Sequence, residues 1–230
     1  MAALAIAPLA WFQKGRLPAA SEIRQELCQS PTQREAGETR FAFSYKGRPY
    51  NVQPLARYDL WGLVVSHNHT TGLADIYHNG KSLDTKDVCV IWGENVATDD
   101  FHRVKFWNGP WTCNWRYPDG VNLRPSEVSN NHLITDQESL RTDIARLRVG
   151  DQIHLTGRLV AYQDAAQPEF WRNSSLTRYD TGNGACEVVF VQGLTVLQRG
   201  APSWNLLWSA SFWLLLLIPV VKLGLNLIGH

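Results

Sequence analysis

From Phe41 onward the apolar residues fall at every second position. FAFSYKGRPYNV puts Phe41, Phe43 and Tyr45 on one face, turns at KGR and resumes with Tyr50 and Val52, which is a hairpin signal. YDLWGLVV (58–65) and VCVIWG (88–93) are nearly continuous apolar runs of strand length, the pattern of strands buried on both faces. RVKFWNGPWTCNWRY alternates, turns at NGP and alternates again, so that Trp111, Cys113, Trp115 and Tyr117 share a face. DQIHLTGRLVAY (151–162) and CEVVFVQGLTVLQ (186–198) follow, with Gly157 and Gly193 placed where a curved strand bends or bulges. One segment has a helical period instead. TDQESLRTDIARLRVGD opens with Thr135 and Glu138 in capping-box spacing, aligns Leu140, Ile144 and Leu147 on one stripe and stops before Gly150. Residues 41–198 are therefore expected to be a mainly β domain: a small OB-like β-barrel or half-open barrel with one capped helix and long loops. An open β-sandwich is the alternative. Ahead of it, 17–40 is expected to hold a short helix (LPAASEIRQEL) and a polar linker (SPTQREAGETR).

Both ends of the chain break this pattern. WNLLWSASFWLLLLIPVV (204–221) carries no charge, and 204–228 supplies the length of a transmembrane helix, with Lys222 near its far end. MAALAIAPLAWF is apolar over twelve residues, too short to span and without the basic start of a secretory signal. Residues 1–16 are read as a short membrane segment, the tail of a longer span, with an interfacial anchor and a degenerate signal as the other readings. Lys14, Arg16 and Arg199 flank the central domain while only Lys222 lies beyond the second segment, which favours a cytoplasmic over a periplasmic domain at a bacterial inner membrane.

Composition narrows the function classes. Twenty-two Lys and Arg against 21 Asp and Glu give a formal charge of +1, with no single-sign field for nucleic acid. The tryptophans at 61, 92, 107, 111 and 115 fall in strand-like runs, where they build core. Cys28, Cys89, Cys113 and Cys186 show no close metal-type spacing; Cys89 and Cys113 read as small buried hydrophobes, and the four do not decide the compartment. No Walker loop, dinucleotide fingerprint, zincin motif or nucleophile elbow occurs.

The segments DVCVIWGENV (87–96), WTCNW (111–115), SNNHLI (129–134), VGDQIHLTGRLVAY (149–162) and RNSSLTRYDTGNGACEVVFV (172–191), with HNH at 67–69, resemble a family of uncharacterised bacterial membrane-anchored proteins. The resemblance covers most of 17–198 and implies a location and a domain extent. It implies no activity.

Three groups of residues carry candidate chemistry. His67, His69, His78 and His132 are a possible open zinc site, if the first two point the same way on a strand. Arg172, Ser174, Ser175, Arg178, Asp180 and Asn183, in a long polar segment with a GNG turn, offer guanidinium forks and backbone N–H groups to an anion. A salt bridge from Arg178 to Asp180 that only pins the loop fits as well. Asn130, Asn131 and His132 read either as a structured turn or as a hydrogen-bonding rim with His132 as acid or base. The expectation is a membrane-anchored binding or assembly module with no cofactor, whose partners are the lipid bilayer and another membrane or envelope protein. A metal-dependent hydrolase using the histidine cluster is the alternative.

Overall fold

The computed structural model describes residues 2–69, 83–109, 111–180 and 185–228, with side chains described from Ile6 to Leu217 within that set, His69 excepted. Nine strands are described: β1 (Thr32–Glu35), β2 (Phe41–Tyr45), β3 (Arg48–His69), β4 (Lys86–Ile91), β5 (Lys105–Asn108), β6 (Cys113–Arg116), β7 (Val128–Ile134), β8 (Gln152–Asp164) and β9 (Glu187–Gln198). The helices are α1 (Ala2–Gln13), α2 (Glu94–Ala97), α3 (Glu138–Ala145) and α4 (Pro202–Ile228). The architecture is thus mixed α/β and strand-rich, and not a β domain with a single helix.

Strand β3 organises the sheet. Its 22 residues pair with β8 along Tyr50–Leu63 and with β4 along Leu63–His69. A strand of that length cannot stay straight around a small core, and the register slips at Leu55, after Pro54, and again at Val65. β4 pairs with β7, β7 runs parallel to β9, and β9 returns to β8, so β3-β4-β7-β9-β8 meet again at β3 as a near-barrel ring. β1 and β2 add to β3 outside the ring. Two glycines permit the closure. A Cβ on Gly157 would lie 2.3 Å from the Phe190 carbonyl oxygen, where the β8–β9 register shifts; one on Gly62 would lie 2.2 Å from Val90.

Helix α3 joins β7 to β8 and fills the ring with Ile144 and Leu147, against Leu60, Val64, Val88, Val90, Trp92 and Leu133. Lys86 points into this core, where its Nζ donates to the Ala145 and Leu147 carbonyls at the end of the helix. Burial favours its neutral form over the opposing pull of Asp151 and lowers its pKa to about 7.

A second core lies on the other face of β3 and β4, where Leu63, Cys89 and Ile91 meet Leu27, Phe101, Val104 and the β5–β6 hairpin. A disulfide between Cys89 and Cys113, Cα atoms 5.5 Å apart, ties that hairpin to β4. The two residues are therefore a covalent cross-link, not the free buried hydrophobes their apolar neighbours suggest. Cys28 and Cys186 are free thiols.

Other expectations are met or corrected locally. The β2–β3 hairpin turns through Lys46 and Gly47, both at positive φ as a two-residue primed turn requires. The capping box of α3 does not form: Thr135 accepts from Gln137 N–H and donates to the Val191 carbonyl, tying the helix start to β9. The segment 17–27 makes two 3-10 turns in place of a helix, and the linker contains β1. Among the described residues no helix is long and apolar enough to cross a membrane; the backbone of α4 is helical to Ile228, whereas its side chains are described to Leu217.

Reduction of Cys89–Cys113, or its replacement by two alanines, is expected to lower unfolding stability by about 2–4 kcal/mol. Urea titration followed by tryptophan fluorescence measures this. A change below about 0.5 kcal/mol would show that the second core holds the hairpin without the cross-link.

Candidate functional site

Strand alternation sorts the candidate residues onto two faces of the ring. On β7, Asn131 and Leu133 face inward while Asn130 and His132 face outward; on β4, Asp87 lies opposite His132 and Cys89 opposite Asn130. His67 pairs with Val88, which puts it on the opposite face from His132, and no group of three or more metal-type side chains converges among the described residues. The side chain of His69 lies outside the described set. His78 and Asn183 lie outside the described residues.

The inward polar group closes one end of the ring. Arg178, at φ +65°, brings its guanidinium to 2.8 Å from the Glu187 carboxylate and 3.1 Å from the Tyr58 hydroxyl, over the Trp92 ring. Asn131 donates to Ser129 Oγ at 2.7 Å beside it. Asp180 makes no ion pair with Arg178; its Oδ2 accepts from Ser175 Oγ and from the Leu176 and Thr177 N–H groups. Ser174 Oγ accepts from Val188 N–H and donates to the Ser175 carbonyl. Ser174, Ser175, Arg178 and Asp180 thus bond one another, Glu187, Tyr58 and the backbone, as a plug of the barrel, with Asn131 held to Ser129 and the Val88 carbonyl beside them. Burial of Glu187 favours its neutral form more than Arg178 favours its charge, and its pKa is raised to about 7.

The outward row is chemically different. His132 is 1% exposed, and its Nδ1 lies 2.7 Å from Asp87 Oδ1. Nε2 lies 2.9 Å from an Arg172 guanidinium nitrogen. Cys186, immediately before β9, lies on the same face as Asn130 and His132, and its thiol donates to the Trp111 carbonyl at 3.3 Å. Asn130 Nδ2 lies 3.6 Å from the Cys186 sulfur. Above them sit Trp111, half exposed, and Arg172, stacked at 5.4 Å from the Trp111 ring and held by paired backbone hydrogen bonds with Tyr162.

The proton inventory of His132 follows from these contacts. Burial disfavours a charged ring; hydrogen bonds to Asp87 and Cys186 and the Asp87 and Asp84 carboxylates outweigh it, raising the pKa to about 10. A guanidinium only donates, however, so the Arg172 contact needs an unprotonated Nε2. With Arg172 in place, we take the ring as neutral, its proton on Nδ1 facing Asp87. With Arg172 withdrawn, Nε2 is open to a second proton, and the neighbouring carboxylates favour the charged ring that forms when a thiol proton passes to it.

Of the sequence candidates, Arg172, Asn130 and His132 come together, while Ser174, Ser175, Arg178, Asp180 and Asn131 belong to the plug. Asp87, Trp111 and Cys186 join them without having been singled out. Asp87 carried a usable signal, being a carboxylate at the start of an otherwise apolar strand. Cys186 carried none, because only the parallel pairing of β7 with β9 brings it to His132. Comparison of the chain with family models, curated proteins and solved structures finds no match.

Arg178→Met is expected to destabilise the protein by about 3–5 kcal/mol at pH 8, by leaving Glu187 buried and unpaired. The folded state holds a proton on Glu187 above its ordinary value of 4.5, so its contribution to stability falls as pH rises from 4.5 toward about 7. Without Arg178 that loss extends to higher pH, so the mutational cost should be larger at pH 8 than at pH 6 in urea titrations. An equal cost at both would contradict the assignment.

Proposed function

We propose that the chain is a membrane-anchored, β-rich binding or assembly module, its ring an OB-type barrel carried on α1 and α4 at a bacterial inner membrane. The observation that carries this reading is the outward apolar surface of those two helices: Leu9, Trp11 and Phe12 on α1, and Leu206, Phe212, Trp213, Leu214 and Leu217 on α4 are all exposed. Soluble monomers rarely expose a contiguous apolar patch beyond a few hundred Å². Between the helices the buried residues are small, Ala7, Ala10 and Ser211, the packing that membrane helices use.

The root of the helix pair supports the same reading. Trp11 and Trp208 meet edge to face at 4.9 Å, with the Lys14 ammonium 3.4 Å from the Trp11 centroid. Asn205 donates to the carbonyls of Lys14, Gly200 and Ala201. Arg146, Arg148 and Arg199 line a cavity of about 400 Å³ where α4 leaves the barrel. Aromatic and cationic side chains at that level suit a headgroup layer. The 27 residues of α4 make a rod of about 40 Å at 1.5 Å per residue, against a hydrocarbon core of about 30 Å.

The OB-type reading draws on the ring order, on the parallel β7–β9 pair and on α3 lying between β7 and β8. The flanking cations favour a cytoplasmic barrel, but a disulfide persists on the oxidising face of the membrane. A covalent cross-link is the stronger signal than a difference of a few cations, and we place the barrel on the periplasmic side. The metal-dependent hydrolase reading is less favoured, because His67 and His132 lie on opposite faces of the sheet. The resemblance to bacterial membrane-anchored proteins agrees in location.

Fractionation of a Gram-negative host expressing the full chain tests the anchor. The protein should stay with membranes through alkaline carbonate, and removal of 1–16 together with 202–230 should release a folded barrel. Exposed Cys28 reports the side: a membrane-impermeant maleimide should label it in cells with a permeable outer membrane and an intact inner one. Extraction of the full chain by carbonate would overturn the anchor, and labelling only after lysis would reverse the orientation.

A further inference from the structure

We propose that Cys186, His132 and Asp87 form a nucleophile, base and orienting carboxylate for acyl transfer, with Asn130 as oxyanion donor and Arg172 as the anchor of an ester or thioester that carries a negative charge. The inference goes beyond the anchoring role and does not depend on it.

The geometry supplies each part. Asp87 Oδ1, 2.7 Å from Nδ1, fixes the tautomer and orientation of the ring, the function of the carboxylate in any nucleophile–histidine–carboxylate set. That leaves Nε2, where Arg172 now lies, as the proton acceptor, and the β7–β9 register sets Cys186 on the same outward face. Asn130 Nδ2, 3.6 Å from the sulfur, is an uncharged donor beside the point of attack, where negative charge gathers on a carbonyl oxygen. The same amide bonds to the Trp111 carbonyl at 3.1 Å, which fixes its direction.

Arg172 explains why the substrate must be anionic. In the resting arrangement its guanidinium occupies Nε2, so the imidazole has no lone pair for the thiol. Its backbone is pinned to Tyr162, while its side chain lies half-buried against the exposed Trp111 ring, so that leaving His132 would take a side-chain rotation and no backbone change. A carboxylate or phosphate on the substrate pairs with the guanidinium more strongly than a neutral ring nitrogen does. Binding therefore draws Arg172 off His132 and arms the thiol only when substrate is present.

The reaction balances without an external oxidant or reductant. The Cys186 proton passes to His132 Nε2 as sulfur adds to the acyl carbon. The carbonyl reforms, the bond from carbon to the leaving oxygen or sulfur breaks, and that atom takes the proton from His132. The product is an acyl thioester on Cys186. Water then adds with His132 accepting its proton, the carbon–sulfur bond breaks and the thiol is restored.

The test uses the full chain in detergent with Cys28→Ser, which leaves Cys186 as the free thiol while Cys89 and Cys113 stay paired. The probes are 4-nitrophenyl acetate and its carboxylate-bearing analogue, mono-4-nitrophenyl succinate, with nitrophenol release and intact mass as readouts. The expected result is an acyl adduct on Cys186, removed by hydroxylamine, forming at least about tenfold faster from the anionic ester, a preference worth one charged pairing. Arg172→Met should abolish the preference while raising the rate with the neutral ester. His132→Gln should slow both. Asp87→Asn, checked for folding by circular dichroism alongside, provides the second variant where His132→Gln does not fold. No adduct on Cys186 from either ester, equal rates with both in the parent, or rates unchanged in His132→Gln and Asp87→Asn would each overturn the proposal.

Discussion

Everything in this molecule hangs on the two edges of β3. Pairing with β8 along one edge and with β4 along the other turns an open sheet into a ring, and the slips at Leu55 and Val65 let a long strand follow the curvature. Closure fixes which side chains face the interior. It also leaves β4 buried on both faces, by α3 within and by the disulfide-tied hairpin without. A strand so enclosed has no tolerance for an unpaired polar group, and its two charged residues are handled in opposite ways. Lys86 turns inward and caps the carbonyls of α3. Asp87 turns outward and takes a ring nitrogen of His132.

That alternation separates structure from chemistry. Inward polar residues seal the ring: Arg178 joins Glu187 and Tyr58, and Asn131 bonds Ser129 beside them. Outward ones on the same strands, Asn130 and His132, meet Cys186 and Arg172, which arrive from the long segment before β9. The inner set is tied mainly to its own members and the backbone. The outer set gathers an imidazole, a thiol and a guanidinium on one face, under a half-exposed tryptophan.

The parts of this arrangement that are local in sequence were legible there. The β2–β3 and β5–β6 hairpins announce themselves by alternation around Lys46-Gly47 and NGP, and the apolar runs in β3 and β4 by strands enclosed on both sides. Gly157 marks the bend it makes. Residues whose partners are remote were not legible. Cys89 and Cys113 looked like core because both are core; their pairing depends on where the hairpin folds back. The Arg178–Asp180 bridge looked plausible from two charges close in sequence, yet Glu187 is the partner that the barrel supplies. HNH looked like a ligand set because spacing does not reveal that neighbouring strands face His67 and His132 in opposite directions. Thr135 matched a capping box by spacing, but the pull of β9 on its hydroxyl prevailed.

The claim on which the chemistry rests is that Arg172 holds His132 neutral, with its proton toward Asp87. Nitrogen-15 NMR of histidine-labelled protein, with His132 assigned by comparison with His132→Gln, reads both ring nitrogens directly. At pH 7 the parent should show a protonated Nδ1 and an unprotonated Nε2, and Arg172→Met should show both protonated. An imidazolium in both proteins, or a ring titrating near its ordinary value of 6.5 in both, would contradict the account.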